Sequence, residues 1–193
     1  MDLFGLRARW CVGLAPRLFR ALLDRRGVSA IEFALLAPVV IGLYVGAIEL
    51  GNMLTITRRT SDVASTAADL TAQVKTVSTA DLQDITSAAT SILTPYPTTP
   101  LKIVLSSVVA DANNSPKVAW SYATTGATAR ATNSVVTLPA GLTQANSSVI
   151  MAEVTYAFTP LLNLRGYFNP GSFTMGRTFY SRPRKSLTVA KTS

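Results

Sequence analysis

The longest uninterrupted apolar stretch lies between Glu32 and Glu49, where FALLAPVVIGLYVGAI runs for 16 residues without a charged or strongly polar side chain. As a helix rising about 1.5 Å per residue it measures roughly 24 Å, short of a ~30 Å hydrocarbon core. The flanks supply the missing length. Val28, Ala30 and Ile31 precede the run, and Leu50, Met53, Leu54 and Ile56 follow it. Apolar character therefore extends over 28–56, about 43 Å of helix, and predicts one transmembrane helix there. Pro38 lacks a backbone donor and is expected to kink the span.

Beyond Thr60 the pattern becomes amphipathic. Val63, Ala67, Leu70, Val74 and Val77 recur at steps of four and three, the spacing of one helical face, and predict a continuation of the membrane helix into water. Ser78 followed by Asp81 is a capping-box signature, and Leu82, Ile85, Ala89, Ile92 and Leu93 repeat the helical period up to Pro95. A second helix is predicted over 79–93, ended by the rigid PYPTTP of 95–100. Four runs rich in β-branched and aromatic residues follow, at 101–110, 117–124, 147–158 and 172–182, separated by turn clusters such as DANNSP. They predict an antiparallel sheet on which the helices can pack. Residues 125–146 are read as a long connection holding a short strand at 134–138, and the basic tail after Pro183 as frayed.

The fold class is therefore α+β: a long N-terminal transmembrane and amphipathic helix, a second helix, and a small antiparallel β-sheet domain. Its divisions are a basic leader at 1–27, a membrane helix at 28–56, a helical stalk at 57–94 and a β-rich domain at 95–193. Trp120, Tyr122, Tyr156, Phe158, Phe173, Phe179 and Tyr180 are assigned to the sheet's core and cross-strand pairs rather than to a ligand box.

Charge adds orientation. Of a formal net charge of +8, half sits in residues 1–27, where Arg7, Arg9, Arg17, Arg20, Arg25 and Arg26 face only Asp2 and Asp24. A basic block ahead of an apolar run is a topology signal, placing the leader in the cytoplasm and the chain beyond about residue 56 in the periplasm, despite Arg58 and Arg59. No nucleic-acid partner is expected, since no helix-turn-helix, zinc-ligand cluster or aromatic RNA platform accompanies the arginines. A cleaved secretory signal is the rival reading, but ELGNMLTITRRTS lacks an A-x-A-like cleavage site.

Candidate chemistry is sparse. The chain has no histidine, and its single cysteine, Cys11, lies in the leader. The commonest general base and metal ligand are thus missing, and neither a cofactor, a metal site nor an enzymatic activity is expected. Two carboxylates remain at the ends of the apolar run. Glu32 is either an assembly residue, as an ionisable group at the bilayer edge, or simply the end of the span, snorkelling to headgroups. Glu49 lies 17 residues on, about 25 Å along the helix and roughly 100° around it, so the two cannot form a catalytic pair. Gly42 and Gly46 make a G-x-x-x-G step, either a close-packing helix face or a chance pattern of an apolar helix.

The stretch RRGVSAIEF at 25–33 resembles the processing site of type IV pilin-like precursors. More narrowly, 27–53, with EFALLAP and the later IELG, is similar to the TadE/TadG-type pilin-like proteins of the tight-adherence (Flp) pilus system, as are VTYAFTPLL at 154–162 and YSRPR at 180–184. The leader is longer than that of the main Flp pilin. The resemblance implies cleavage between Gly27 and Val28 by a prepilin peptidase of the membrane-embedded aspartyl class. It makes Glu32, Phe33 and Glu49 assembly residues, with Glu32 meeting the new amine at Val28 of a neighbouring copy; for Glu49 an interfacial flank is the alternative. The implied partners are the inner membrane, that peptidase, other pilin-like subunits and the pilus assembly platform. The implied function is that of a minor pilin or pseudopilin, with an unprocessed, signal-anchored periplasmic binding or scaffold protein as the alternative.

Overall fold

The computed structural model describes residues 26–160 and 171–192. Cys11, the leader arginines up to Arg25, and Leu161 and Leu162 lie outside the described residues.

Helix α1 runs Arg26–Ala72 with Pro38 inside it. Contacts divide the chain into two compact units, one ending at Ile48 and the other spanning Glu49–Ser193. The described part of the first unit is wholly helical.

In the second unit α1 is followed by β1 (Thr76–Val77), α2 (Thr79–Ser91), β2 (Leu101–Ala110), β3 (Pro116–Ala123), β4 (Ser148–Phe158), β5 (Phe173–Ser181) and β6 (Ala190–Lys191). β2 to β5 form an antiparallel sheet in the order β3-β2-β4-β5. The α+β class, both helices and the four strands agree with the sequence reading.

The sheet is two-sided, and its alternation says why. Leu101, Ile103 and Leu105 oppose Tyr156, Val154 and Ala152, so one face of β2 and β4 is continuously apolar. That face packs on the helices in one core with Ile56, Val63, Ala64, Ala67, Ala68 and Ala72 of α1 and Leu82 and Ala89 of α2. The α1 contribution is mostly alanine, with Thr60 and Thr71 also fully buried, each hydroxyl returning to the carbonyl one turn earlier at 2.8 Å. Small residues let the helix axis lie close to the sheet.

This corrects the expected helical face. Leu70 is only partly buried, and α1 stops at Ala72, so Val74 lies past its end and Val77 is buried in β1. The core also runs across residue 94, so segment 57–94 belongs to the same packed unit as the sheet rather than standing off as a stalk.

The second face carries Val108, Val118, Val136 and Met151, with Leu138 and Tyr180 against them. A bulge makes this possible. Ser107 opposes Trp120 but Val108 opposes Val118, so Ala119 is an extra residue. It reverses the alternation, sending Trp120 to the helix side and Val118 to the other.

The connection 125–146 covers this second face. The Arg130 guanidinium donates twice to the Glu153 carboxylate, at 2.6 and 2.7 Å, and Asn133 N–H donates to Val118 C=O at 2.8 Å. In place of a strand at 134–138 there is a single bridge, Lys117 to Val135. Hydrogen bonding by Glu153 raises the pKa of Arg130, against the effect of its partial burial.

The basic tail is not frayed. β6 pairs in parallel with β1, Val189 is buried, and Trp120 Nε1–H donates to Val189 C=O at 2.8 Å. The prediction failed because a charged, short-chain sequence gives no sign of the two-residue strand waiting for it at 76–77. Two aromatics also depart from the expected core: Phe173 and Phe179 remain 43% exposed on β5, although Phe173 does sit directly across from Phe158.

The capping box is present as read. Asp81 N–H donates to Ser78 Oγ at 3.1 Å, and Ser78 N–H donates to the Asp81 carboxylate at 2.8 Å. The bond from the Ser78 backbone lowers the Asp81 pKa below its ordinary 3.8. A depressed folded-state value means the cap contributes fully above pH 3.8 and fades as pH falls through the lower folded value. In acid unfolding followed by circular dichroism, Asp81→Asn should therefore lower the neutral-pH melting temperature, with the gap from wild type closing below about pH 3.8.

The tail contact generates a second test. Trp120→Phe keeps the ring but leaves the Val189 carbonyl without its donor, and should cost about 1–3 kcal/mol in denaturant unfolding. Deletion of residues 188–192 should cost more, because Val189 burial and the β6 pairing are lost as well.

Candidate assembly surface

The first unit presents apolar side chains on every side of α1. Val28, Ile31, Phe33, Leu35, Leu36, Val39, Val40, Ile41, Leu43, Tyr44 and Ile48 are all between 45% and 72% exposed. Moving a side chain of this size out of water is worth roughly 1.5–3 kcal/mol when complete. Together they favour apolar surroundings by something on the order of 10–20 kcal/mol. A helix apolar all round needs a core, a membrane or partner helices. Gly27–Ala72 is long and apolar enough to cross a membrane, and the most apolar part is not buried within the chain.

The sequence-picked residues fall on this helix as follows. Gly27 and Val28 lie in its first turn, and among the described residues a Cβ built on Gly27 would meet nothing within 4 Å. Glu32 and Phe33 are exposed one turn further on. Gly42 and Gly46 are likewise open, with none of the described residues within 4 Å of an added Cβ, which leaves their face available for close helix approach. Glu32 belongs to the first unit and Glu49 to the second.

Glu49 has different surroundings from Glu32. It belongs to the second unit, half-buried, and lines a cleft of about 290 Å³ with Asn52, Tyr96, Pro97, Tyr156 and Phe158 among the walls. Tyr96 Oη–H donates to Asn52 Oδ1 at 3.3 Å. Burial raises the pKa of the Tyr156 phenol.

Arg59 holds this region in place, a role that sequence reading missed. Its guanidinium donates to Ile92 C=O at 2.7 Å and to Thr94 C=O, and stands 5.7 Å from the centre of the Tyr96 ring. The carbonyls at the C-terminal end of α2 are thereby given a cation, favoured by the helix dipole. In the sequence the Arg58–Arg59 pair carried only a charge count. A partner 33 residues away leaves no local signature.

The YSRPR stretch likewise proves structural. The Arg182 side chain donates to Gly141 C=O at 2.8 Å, Arg184 pairs with Asp69, and Arg184 N–H donates to Ala72 C=O at 2.9 Å, closing the end of α1. Among the described residues no group of His, Cys, Asp or Glu is arranged to hold a metal ion.

Residues 27–69, within α1, match the family model described as TadE-like protein. No curated protein and no solved structure matches the chain.

Arg59→Ala should destabilise the second unit by about 1.5–3 kcal/mol in detergent-solubilised protein, the cost of removing a charged donor from two carbonyls. Arg59→Lys should recover only part of it, because one ammonium cannot reproduce the planar fork over the Tyr96 ring.

Proposed function

We propose that this chain with its TadE-like segment is a minor pilin or pseudopilin of a tight-adherence pilus, cut after Gly27 by a prepilin peptidase and held in the inner membrane by α1. The observation that carries the reading is an apolar helix, exposed on all sides, lying inside the family match of residues 27–69. The match begins at the glycine where the sequence places the cleaved bond. It supports a pilin-like protein associated with the Tad pilus; processing, anchorage and orientation are the further content of the proposal.

The chemistry follows from the membrane. Peptidase cleavage exposes an amine at Val28, while Glu32 stands one turn along the same helix, about 6 Å away. A carboxylate at the bilayer edge is costly alone and much less so beside a cation. The Val28 amine of one copy and Glu32 of the next neutralise each other, and Phe33 and the Gly42–Gly46 face supply the packing around that pair. The arginine-rich leader holds the uncut chain at the anionic cytoplasmic surface, with the second unit in the periplasm. The protein acts as a structural subunit rather than a catalyst.

The test is the N-terminal sequence and intact mass of the protein from native membranes, beside Gly27→Ala. A start at Val28 that is lost in the variant is the expected result, with Glu32→Ala processed normally but recovered mostly outside assembled pili. A mature protein that keeps Arg25 and Arg26 would overturn processing and favour the unprocessed, signal-anchored scaffold. A start near residue 60 would mean an ordinary secreted protein.

A further inference from the structure

Three exposed apolar side chains gather where the second unit begins. Leu50 and Leu54 of α1 are 63% and 65% exposed, and Phe173, the first residue of β5, is 43% exposed. They share one flank. Thr57 Oγ1–H donates to Met175 Sδ at 2.8 Å, which sets α1 beside β5 at that level. Leu54 and Leu50 precede Thr57 by three and seven residues, the spacing of one helical side. Phe173 precedes Met175 by two, the spacing of one sheet face. Further on, Ser65, Thr66 and Asp69 line a hollow with Phe179 and Arg182, so α1 and β5 run in the same direction and their first residues lie at one end. Phe158, directly across from Phe173, stands with Glu49 and Asn52 around the cleft at that same end.

What covers this patch is indicated by length and by charge. Exposed apolar side chains continue along the sequence of α1 from Val28 to Leu54, about 40 Å of helix. A bilayer core takes ~30 Å of that, and the headgroup layers bring the whole membrane to about 40–45 Å. With Val28 at the cytoplasmic edge, as the proposed function has it, Leu50 and Leu54 reach the far headgroup layer and bring the start of β5 there with them. Cations follow the patch on both elements. Arg58 lies one turn, about 6 Å, past Leu54, and Arg177 lies about 13 Å past Phe173 on the same sheet face; both are exposed. Leucine and phenylalanine at the level where acyl chains meet headgroups, with arginines above them, make an interfacial surface.

From this arrangement we infer that the second unit rests on the membrane its own chain crosses, with a lipid surface as the occupant of the patch. Phe173 inserts beside Leu50 and Leu54 at the boundary of acyl chains and headgroups, and Arg58 and Arg177 stand against anionic lipid phosphates. The contact gives the second unit a foothold on β5 besides the one on α1. Two separate footholds stop it from turning freely about the helix, so every copy presents the same side to its neighbours. This deepens the reading of α1 as a membrane anchor and rests on it.

The test uses the full chain with Cys11→Ser, reconstituted in vesicles of phosphatidylethanolamine and phosphatidylglycerol, with one introduced cysteine carrying an environment-sensitive fluorophore. At Phe173→Cys a nitroxide near the top of the acyl chain should quench strongly. Aqueous iodide should quench there several-fold less than at Leu187→Cys, a position whose carbonyl accepts from Ser148 N–H at the opposite end of β4. Leu54→Cys should report the same pair of effects, so the result does not hang on the tolerance of one site. Arg58→Glu together with Arg177→Glu should weaken both effects at Phe173→Cys. Iodide access there equal to that at Leu187→Cys overturns the inference, as does shielding from both quenchers, which would mean a protein cover, or quenching unmoved by the charge reversals. Val40→Cys, read with a nitroxide near the methyl end of the acyl chain, separates the two levels. Quenching at Val40→Cys with an iodide-open Phe173→Cys removes only the lipid contact of the second unit, whereas no quenching at Val40→Cys removes the membrane anchor too.

Discussion

One helix presents two kinds of surface along its length, and most of the second unit follows from how its sequence divides them. From Val28 to Ile48 the side chains are large and apolar around the whole circumference, which suits a surrounding of lipid or of other helices. From Glu49 to Ala72 the helix becomes one-sided, and the side that packs is built from Ile56, Val63 and a series of alanines and threonines. Bulky residues on that side would hold the axis away from the sheet. Alanine and threonine bring it near enough for Leu105, Ile103 and Val154 to reach across.

The second unit is held together by a few long-range ties at its margins. Arg59 takes the C-terminal carbonyls of α2, Arg184 pairs with the Asp69 carboxylate of α1, Arg130 fastens the covering connection to β4, and Trp120 secures the tail. Three of these are arginines donating to carbonyls or carboxylates, a geometry that the planar guanidinium suits well. The strong net positive charge of this chain is thus in part a set of internal fasteners, in addition to a topology signal.

What could be read in advance was whatever is encoded at short range. The long apolar helix announced itself by composition, the capping box by Ser78 and Asp81 three residues apart, and the four strands by their texture, with ends off by no more than a residue or so. The helical face after Thr60 was read less well, because Ala64 and Ala68 do not register as core positions in a pattern weighted toward large side chains. The cleft was invisible: Asn52 and Tyr96 are 44 residues apart, and nothing in PYPTTP distinguishes a wall from a break. Gly27 and Glu32 were singled out by a resemblance and by what a bilayer edge tolerates, and Gly42 and Gly46 by their spacing, whereas Arg59 is ordinary by every local measure.

The parallel pairing of β6 with β1 bears on the order in which the chain can be finished. β1 lies between the two helices, yet its strand partner among the described residues follows more than a hundred residues later. As the polypeptide emerges, α1, α2 and the sheet can form while Thr76 and Val77 still lack that strand and Trp120 lacks the carbonyl of Val189. Closure therefore waits until residues 189–191 are available. During that interval the second unit would be incompletely folded, the state in which a quality-control protease or a chaperone has its opportunity to act.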